Sequence, residues 1–400
     1  MSHIAEQYVR LTLAVGQHDP DYVDAYYGPP EWKPGGGKGN LDDLLRQAEN
    51  LRARVALMPK PADEAEALRH QYLQAQLAAM TGRLKILKGE RLRFDDESRA
   101  LYDAVAPILP EQHFQEVLSQ LESRFPGHGT LVERYDAWRR AFLIPSEKLD
   151  GVFRTAIAAC RERTARHLQL PPDESFTVEY VTNKSWSGYN WYQGGFRSLI
   201  QVNTDLPIYI DRAIDLACHE GYPGHHVYNV LLEKNLVRDR GWMEFTVYPL
   251  FSPQSLIAEG TANYGIEIAF PEEERLAYEE QVLFPAAGLD PREVRDYYAV
   301  QALVARLAYA GNEAARRYLN GEIDAAQAAA WLEKYALMPK DRAAQRVRFF
   351  DQYRSYVINY NLGKDMVRDY IEKRASADSA VRWQEFGRLL ASPRLPSGLR

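Results

Sequence analysis

Between Leu41 and Leu57 the apolar residues Leu41, Leu44, Leu45, Ala48, Leu51 and Val55 recur every three or four positions. That period draws one apolar stripe along a helix and excludes a strand, whose side chains alternate every two residues. The same period runs through Glu64–Lys88, Glu97–Val105, Gln112–Phe125, Leu131–Phe142 and Ser146–Leu168, with Pro107, Pro110, Pro145 and Pro171–Pro172 as punctuation. The first 170 residues are therefore expected to be a run of antiparallel helices, and no fixed-period repeat is visible. A chain of 400 residues with 46% apolar content can bury a substantial core in one large domain or two.

Two segments break the helical pattern. Tyr26–Gly39, YYGPPEWKPGGGKG, reads as a loop. Its GGGKG is not a phosphate loop, because no Ser or Thr follows the lysine and no apolar strand precedes it. Phe176–Thr182 and Phe196–Thr204 are rich in β-formers, with Gly188, Gly194 and Gly195 between them, and predict a short antiparallel hairpin. Helix is expected to resume after Pro207. Pro339 starts the last major helix, expected to end near Tyr360.

A net charge of −6 argues against nucleic-acid binding, which needs clustered Lys and Arg. Only Cys160 and Cys218 occur, the N-terminus lacks a signal-peptide pattern, and no run of 18 apolar residues could span a membrane. A cytoplasmic protein is expected.

The chemistry concentrates in HEGYPGHH, His219 to Glu220 and on to His225 and His226. The familiar zinc signature H-E-x-x-H sets two histidines four apart on one helix face. Here Pro223 occupies the fourth position. On an unbroken helix His225 would point about 120° away from His219, and His226 would lie about 10 Å further along the axis. Neither could share an ion with His219. Pro223, however, forbids an unbroken helix, and Gly224 adopts almost any backbone angle. The expected path is a helix ending at His219–Glu220, a bulge at Tyr222–Gly224 and a new helix from the histidines. Absorbing two residues there could return His225 to the usual second-ligand position, with His226 pointing elsewhere. The alternative is a plain helix–turn–helix joint with incidental polar residues.

A zinc site needs a third protein ligand and an open position. In Ser255–Phe270, Glu259 follows the apolar turn Leu256-Ile257-Ala258, with Asn263 one turn on and Glu267 beyond. A Glu on such a face needs a partner, either a metal or an Arg or Lys.

These residues resemble a known family. HEGYPGHH is similar to the HE-x-x-P-G-H-H signature of the bacterial proteins grouped as domain of unknown function 885. Glu259–Tyr264, EGTANY, resembles that family's E-G-W-A-x-Y with Thr in place of Trp. Leu199–Thr204 resembles its strand ending V-N-T, and Tyr360-Asn361-Leu362-Gly363 its Y-x-x-G. The usual P-G-Q before that tyrosine is Arg354-Ser355-Tyr356 here. The likeness spans roughly 176 to 365, and the family is itself similar to gluzincin metallopeptidases such as carboxypeptidase Taq.

The resemblance implies one zinc per chain held by His219, His225 and Glu259, with Glu220 as base. It also implies a mainly α, gluzincin-like fold with a small antiparallel sheet edging the cleft. The chain would then comprise an N-terminal helical region, 1–170, and a zinc catalytic region, 171–400, in one continuous fold. The expected function is hydrolysis of a peptide, or another small amide, by zinc-bound water. The alternatives are a non-catalytic protein with a structural metal, its fourth position closed by His226, and a hydrolase of non-peptide amides or esters. Tyr356 and Tyr360 are candidate oxyanion donors, and Arg197, Asn203 and Arg354 candidate substrate contacts. The aromatic SWSGYNWYQGG, 185–195, would line the cleft, and the hairpin's edge could pair with an extended peptide.

Overall fold

The computed structural model describes residues 1–184, 186–375 and 378–399, and it is mainly helical. The helices at Leu41–Ala56, Glu64–Leu87, Phe94–Tyr102, Glu111–Arg124, Leu131–Arg139 and Leu149–Ala165 follow the apolar stripes to within a few residues. Asn40 and Asp63 cap two of them through backbone amides of the first turn, and Thr130 with Glu133 forms a capping box. An N-terminal helix, Ser2–Gly16, precedes them.

The core crosses residue 170 without interruption. One apolar cluster contains Tyr8, Leu77, Phe94 and Cys160 together with Ile214, Leu256, Phe284 and Ile371. A second packs Phe114, Leu121 and Tyr135 against Val300, Leu307 and Tyr335. The two regions therefore bury their apolar faces against each other. No helix among the described residues is long and apolar enough to cross a membrane.

The sheets differ from the expectation. β1 (Val23–Tyr26) pairs antiparallel with β5 (Val247–Pro249), a ribbon that the sequence did not announce. β2 (Ser175–Val181), β3 (Gly188–Gly194) and β4 (Arg197–Asn203) form a second sheet in the order β2-β4-β3. β2 runs parallel to β4, so the expected antiparallel hairpin of these two segments is corrected. The glycine-containing stretch between them is itself a strand and makes the hairpin with β4. Gly195 and Phe196, both at φ 61°, close that turn, as a two-residue hairpin requires. Having crossed once, the chain enters β4 in the direction of β2. Ser185, part of the stretch expected to line the cleft, lies outside the described residues.

The expected single helix up to Tyr360 is also corrected. The helix Lys340–Tyr353 stops at Arg354, whose φ of 50° and ψ of −123° turn the backbone out of line. A short 3₁₀ turn, Arg354–Val357, leads into a new helix, Ile358–Ala375. Glu97 holds the break, accepting hydrogen bonds from Arg354 Nε (2.6 Å), Ser355 Oγ (2.6 Å) and Ser355 N (3.1 Å).

The helix Ile358–Ala375 packs closely on the helix Pro253–Ala269, and glycines set the approach. A Cβ on Gly260 would lie 2.4 Å from the carbonyl oxygen of Gly363, and one on Gly363 would lie 2.7 Å from that of Leu256. Only glycine fits both positions, and their contact sets Glu259 and Tyr360 side by side.

Candidate metal centre

The chain enters the site through the helix Asp211–Leu216, which widens into a π turn over Ala217–Gly221. Such wide turns accommodate extra residues without ending the helical path and are frequent at functional sites. The amide of Tyr222 reaches Ala217 O at 3.1 Å and that of Gly224 reaches Cys218 O at 2.9 Å, spans of five and six residues. A Cβ at Gly224 would fall 1.9 Å from the His219 carbonyl oxygen, so any other residue would force the turn open. The next helix begins at His225.

This path absorbs the two additional residues. His225 Nε2 lies 3.1 Å from His219 Nε2, and Glu259 Oε2 lies 3.3 Å from His219 Nε2 and 3.8 Å from His225 Nε2. Ligand atoms about 2.0–2.1 Å from a tetrahedral zinc stand roughly 3.3 Å apart, so the separations fit such an ion. Glu259 Oε2 is buried with no hydrogen-bond partner, although a buried carboxylate oxygen without a partner is costly. Two imidazoles and one carboxylate also match zinc's usual donors.

The surroundings fix these groups. Asn263 Oδ1 lies 3.2 Å from His219 Nδ1, and its Nδ2 donates to Tyr360 O at 3.1 Å. The amide orientation makes Nδ1 the protonated nitrogen and leaves Nε2 free to bind. Tyr356 donates to Glu259 Oε1 at 2.8 Å. Burial opposes ionisation of Glu259, but the facing imidazoles of His219 and His225 outweigh it and hold its pKa far below the ordinary carboxylate range. Burial likewise disfavours protonated His225, yet Glu259, then Glu220 and Asp24, raise its pKa to about 9.

His226 points the other way. Its ring is fully buried, with Nδ1 2.8 Å from Ser198 Oγ and Nε2 2.9 Å from Glu174 Oε2. Glu174 also accepts from Tyr222 (2.7 Å) and Arg161 (2.7 Å). Both His226 nitrogens are thereby engaged, tying the turn to Ser198 of β4 and to Glu174, and the ring is not free to close a metal's fourth position.

Glu220 is buried beside the triad, against Gly188 of β3, where a Cβ would meet its Oε1 at 2.9 Å. Asn190 of β3 donates to the Glu220 carbonyl at 2.8 Å. No side chain among the described residues hydrogen-bonds its carboxylate.

The two tyrosines have separate roles. Tyr356, expected as an oxyanion donor, instead donates its hydroxyl to Glu259, whose carboxylate it would hold in place for a metal. Tyr360, its ring 5.7 Å from that of Tyr356, keeps a hydroxyl with no partner among the described residues. Burial first, then the charges of Glu259 and Glu220, push its pKa well up, so it remains a protonated donor. Arg354, expected as a substrate contact, is paired through its Nε with Glu97. Asn203 donates to Lys184 O and Trp186 O and shapes its own loop. Arg197 is exposed at the start of β4 and bonds none of the triad. Glu267 pairs with Lys364 on the surface.

Asp24 of β1 was not singled out from its sequence. It accepts a hydrogen bond from Tyr189, and its charge acts on His225. Burial lifts its pKa to about 6, with Glu259 and Glu220 adding to the rise and Tyr189 and His225 opposing it. Three aspartates within Asp19–Asp24 give no local cue that only this one faces the centre.

No family model matches this chain, and no curated protein matches it. Two solved structures share its fold, each described as a "putative lipoprotein". The one from Colwellia psychrerythraea has 17% identity and a TM-score of 0.53, covering 92% of this chain and 70% of the other. The one from Shewanella oneidensis, described as of unknown function, has 13% identity and a TM-score of 0.50, covering 90% and 72%.

Proposed function

We propose that this protein is a zinc-dependent hydrolase of the gluzincin kind that cleaves peptide bonds. The observation that carries the reading is the convergence of His219 Nε2, His225 Nε2 and the unpartnered Glu259 Oε2 at the spacing of a zinc ligand shell. Zinc bound there would polarise an amide carbonyl and lower the pKa of water.

The chain's own groups supply the rest. The Glu220 carboxylate, free of side-chain partners, takes the proton of the attacking water and delivers it to the departing nitrogen. The Tyr360 hydroxyl donates to the carbonyl oxygen as negative charge builds on it. Among the described residues β3 pairs with β4 alone, so its other edge can hydrogen-bond an extended peptide. Gly188 and Asn190 would bring that peptide past Glu220, while Trp191 and Gln193 are exposed on alternate positions. The two buried free cysteines favour the cytoplasm as its compartment.

Glu220→Gln tests the proposal. It keeps size and burial but removes the base, so zinc binding should persist while peptide hydrolysis falls at least about a hundredfold. A Glu220→Gln variant as active as wild type would sink the mechanism.

A further inference from the structure

Arginines buried in this fold are paired. Arg69 meets Glu244, Arg83 meets Asp19, Arg275 meets Asp215 and Arg316 meets Glu313. Arg346, half-buried on the helix Lys340–Tyr353 near the candidate metal centre, is not paired in this way. No carboxylate among the described residues lies within ion-pair distance of it, and its Nε is buried without a hydrogen-bond partner. Its guanidinium lies 4.4 Å from the Phe349 ring centroid, 5.7 Å from that of Phe350 and 5.9 Å from that of Tyr360. The side chain keeps partial exposure, so a ligand can reach it. Burial lowers its pKa, with Tyr360 opposing. A partly desolvated charge without a counter-ion carries a cost, and a bound anion would offset it.

Tyr360 is also within the influence of the centre, where Glu259 and Glu220 act on its hydroxyl. Arg346 thus stands one aromatic ring away from the hydrolytic groups. The carboxylates Glu259 and Glu220, which act on Tyr360, already load the neighbouring centre with negative charge, so a ligand of single negative charge suits this position better than a phosphate.

We infer that Arg346 binds a substrate carboxylate through its planar fork of N–H donors, and that this carboxylate is the peptide's own C-terminus. The inference rests on the hydrolase reading above and adds a substrate class to it: short peptides cleaved near a free C-terminal end.

The test uses the zinc-loaded full chain and three matched peptides: one with a free C-terminal carboxylate, the same peptide amidated, and an amidated peptide ending in Asp. Wild type should prefer the free acid over its amide by about 10-fold or more in kcat/KM, the scale of a charged hydrogen bond. Arg346→Met should reduce that ratio to near unity, mainly through KM, and Arg346→Lys should restore part of it. Equal wild-type cleavage of acid and amide, or an undiminished preference in Arg346→Met, overturns the inference. A preference for the amidated Asp peptide over the free acid overturns the C-terminal assignment. Should wild type cleave no peptide, the hydrolase reading fails, and titration of N-acetylphenylalanine and its amide into metal-free protein still decides on Arg346. Tighter binding of the acid that disappears in Arg346→Met upholds carboxylate recognition, and equal binding of the two overturns it.

Discussion

Replacing Tyr356 with Phe removes one oxygen and leaves the ring packing in place. The hydroxyl lost is the donor that holds Glu259 Oε1 at 2.8 Å, between two buried side chains. A hydrogen bond to a charged group contributes about 1.5–3 kcal/mol. Zinc binding needs Glu259 aimed at the histidines, so losing its restraint should cost a comparable amount of binding energy. At about 1.4 kcal/mol per tenfold, zinc affinity should fall roughly 10- to 100-fold, the range typical of groups that orient a metal ligand. Competition with a chelator of known affinity measures this directly. The paired control is Tyr360→Phe, which should bind zinc like wild type and instead lose hydrolytic rate. If Tyr356→Phe binds zinc within about twofold of wild type while Tyr360→Phe binds it weakly, the assignment of the two tyrosines is refuted.

Gly363→Ala should destabilise the fold by about 1–3 kcal/mol, the usual cost of overpacking, and loosen zinc as well, because its Cβ drives apart the helices carrying Glu259 and Tyr360; a thermal melt with unchanged midpoint would contradict it. His226→Gln should keep zinc but lower the melting temperature, since the ring ties the turn to Ser198 and Glu174; elemental analysis showing zinc loss in a folded variant would count against it. Glu174 has its pKa lowered to about 2 from an ordinary 4.5, burial opposing and His226, Tyr222 and Arg161 prevailing. A depressed carboxylate stabilises the fold above its unfolded pKa and loses that contribution as pH falls towards the folded one. Denaturant melts should therefore show stability falling between about pH 4.5 and 2 less steeply in Glu174→Gln than in wild type; identical slopes would remove Glu174 from the account.

What could be read from the sequence was local. The helices followed from apolar spacing, and the bulge at Tyr222–Gly224 from Pro223 and Gly224 alone, because both act on their own neighbours. The divergence of His225 and His226 follows from the same few residues. Contacts between distant segments were not legible. β2 and β4 have the composition of paired strands, but their direction depends on the intervening β3. The break at Arg354 depends on Glu97, 257 positions earlier. Asp24 reaches the centre only because β1 pairs with β5. The separate duties of Tyr356 and Tyr360 depend on the Gly260–Gly363 crossing. Each glycine was visible within a motif, but their contact was not.

Zinc content of the full chain, purified without added metal and measured by elemental analysis beside Glu259→Gln, tests the central claim most directly. Gln keeps the size of the side chain and the hydrogen bond from Tyr356 while removing the anionic ligand oxygen. The account predicts about one zinc per wild-type chain and almost none in the folded variant. A wild-type chain without zinc that takes none up when offered it, or a Glu259→Gln variant that retains a full equivalent, would contradict it.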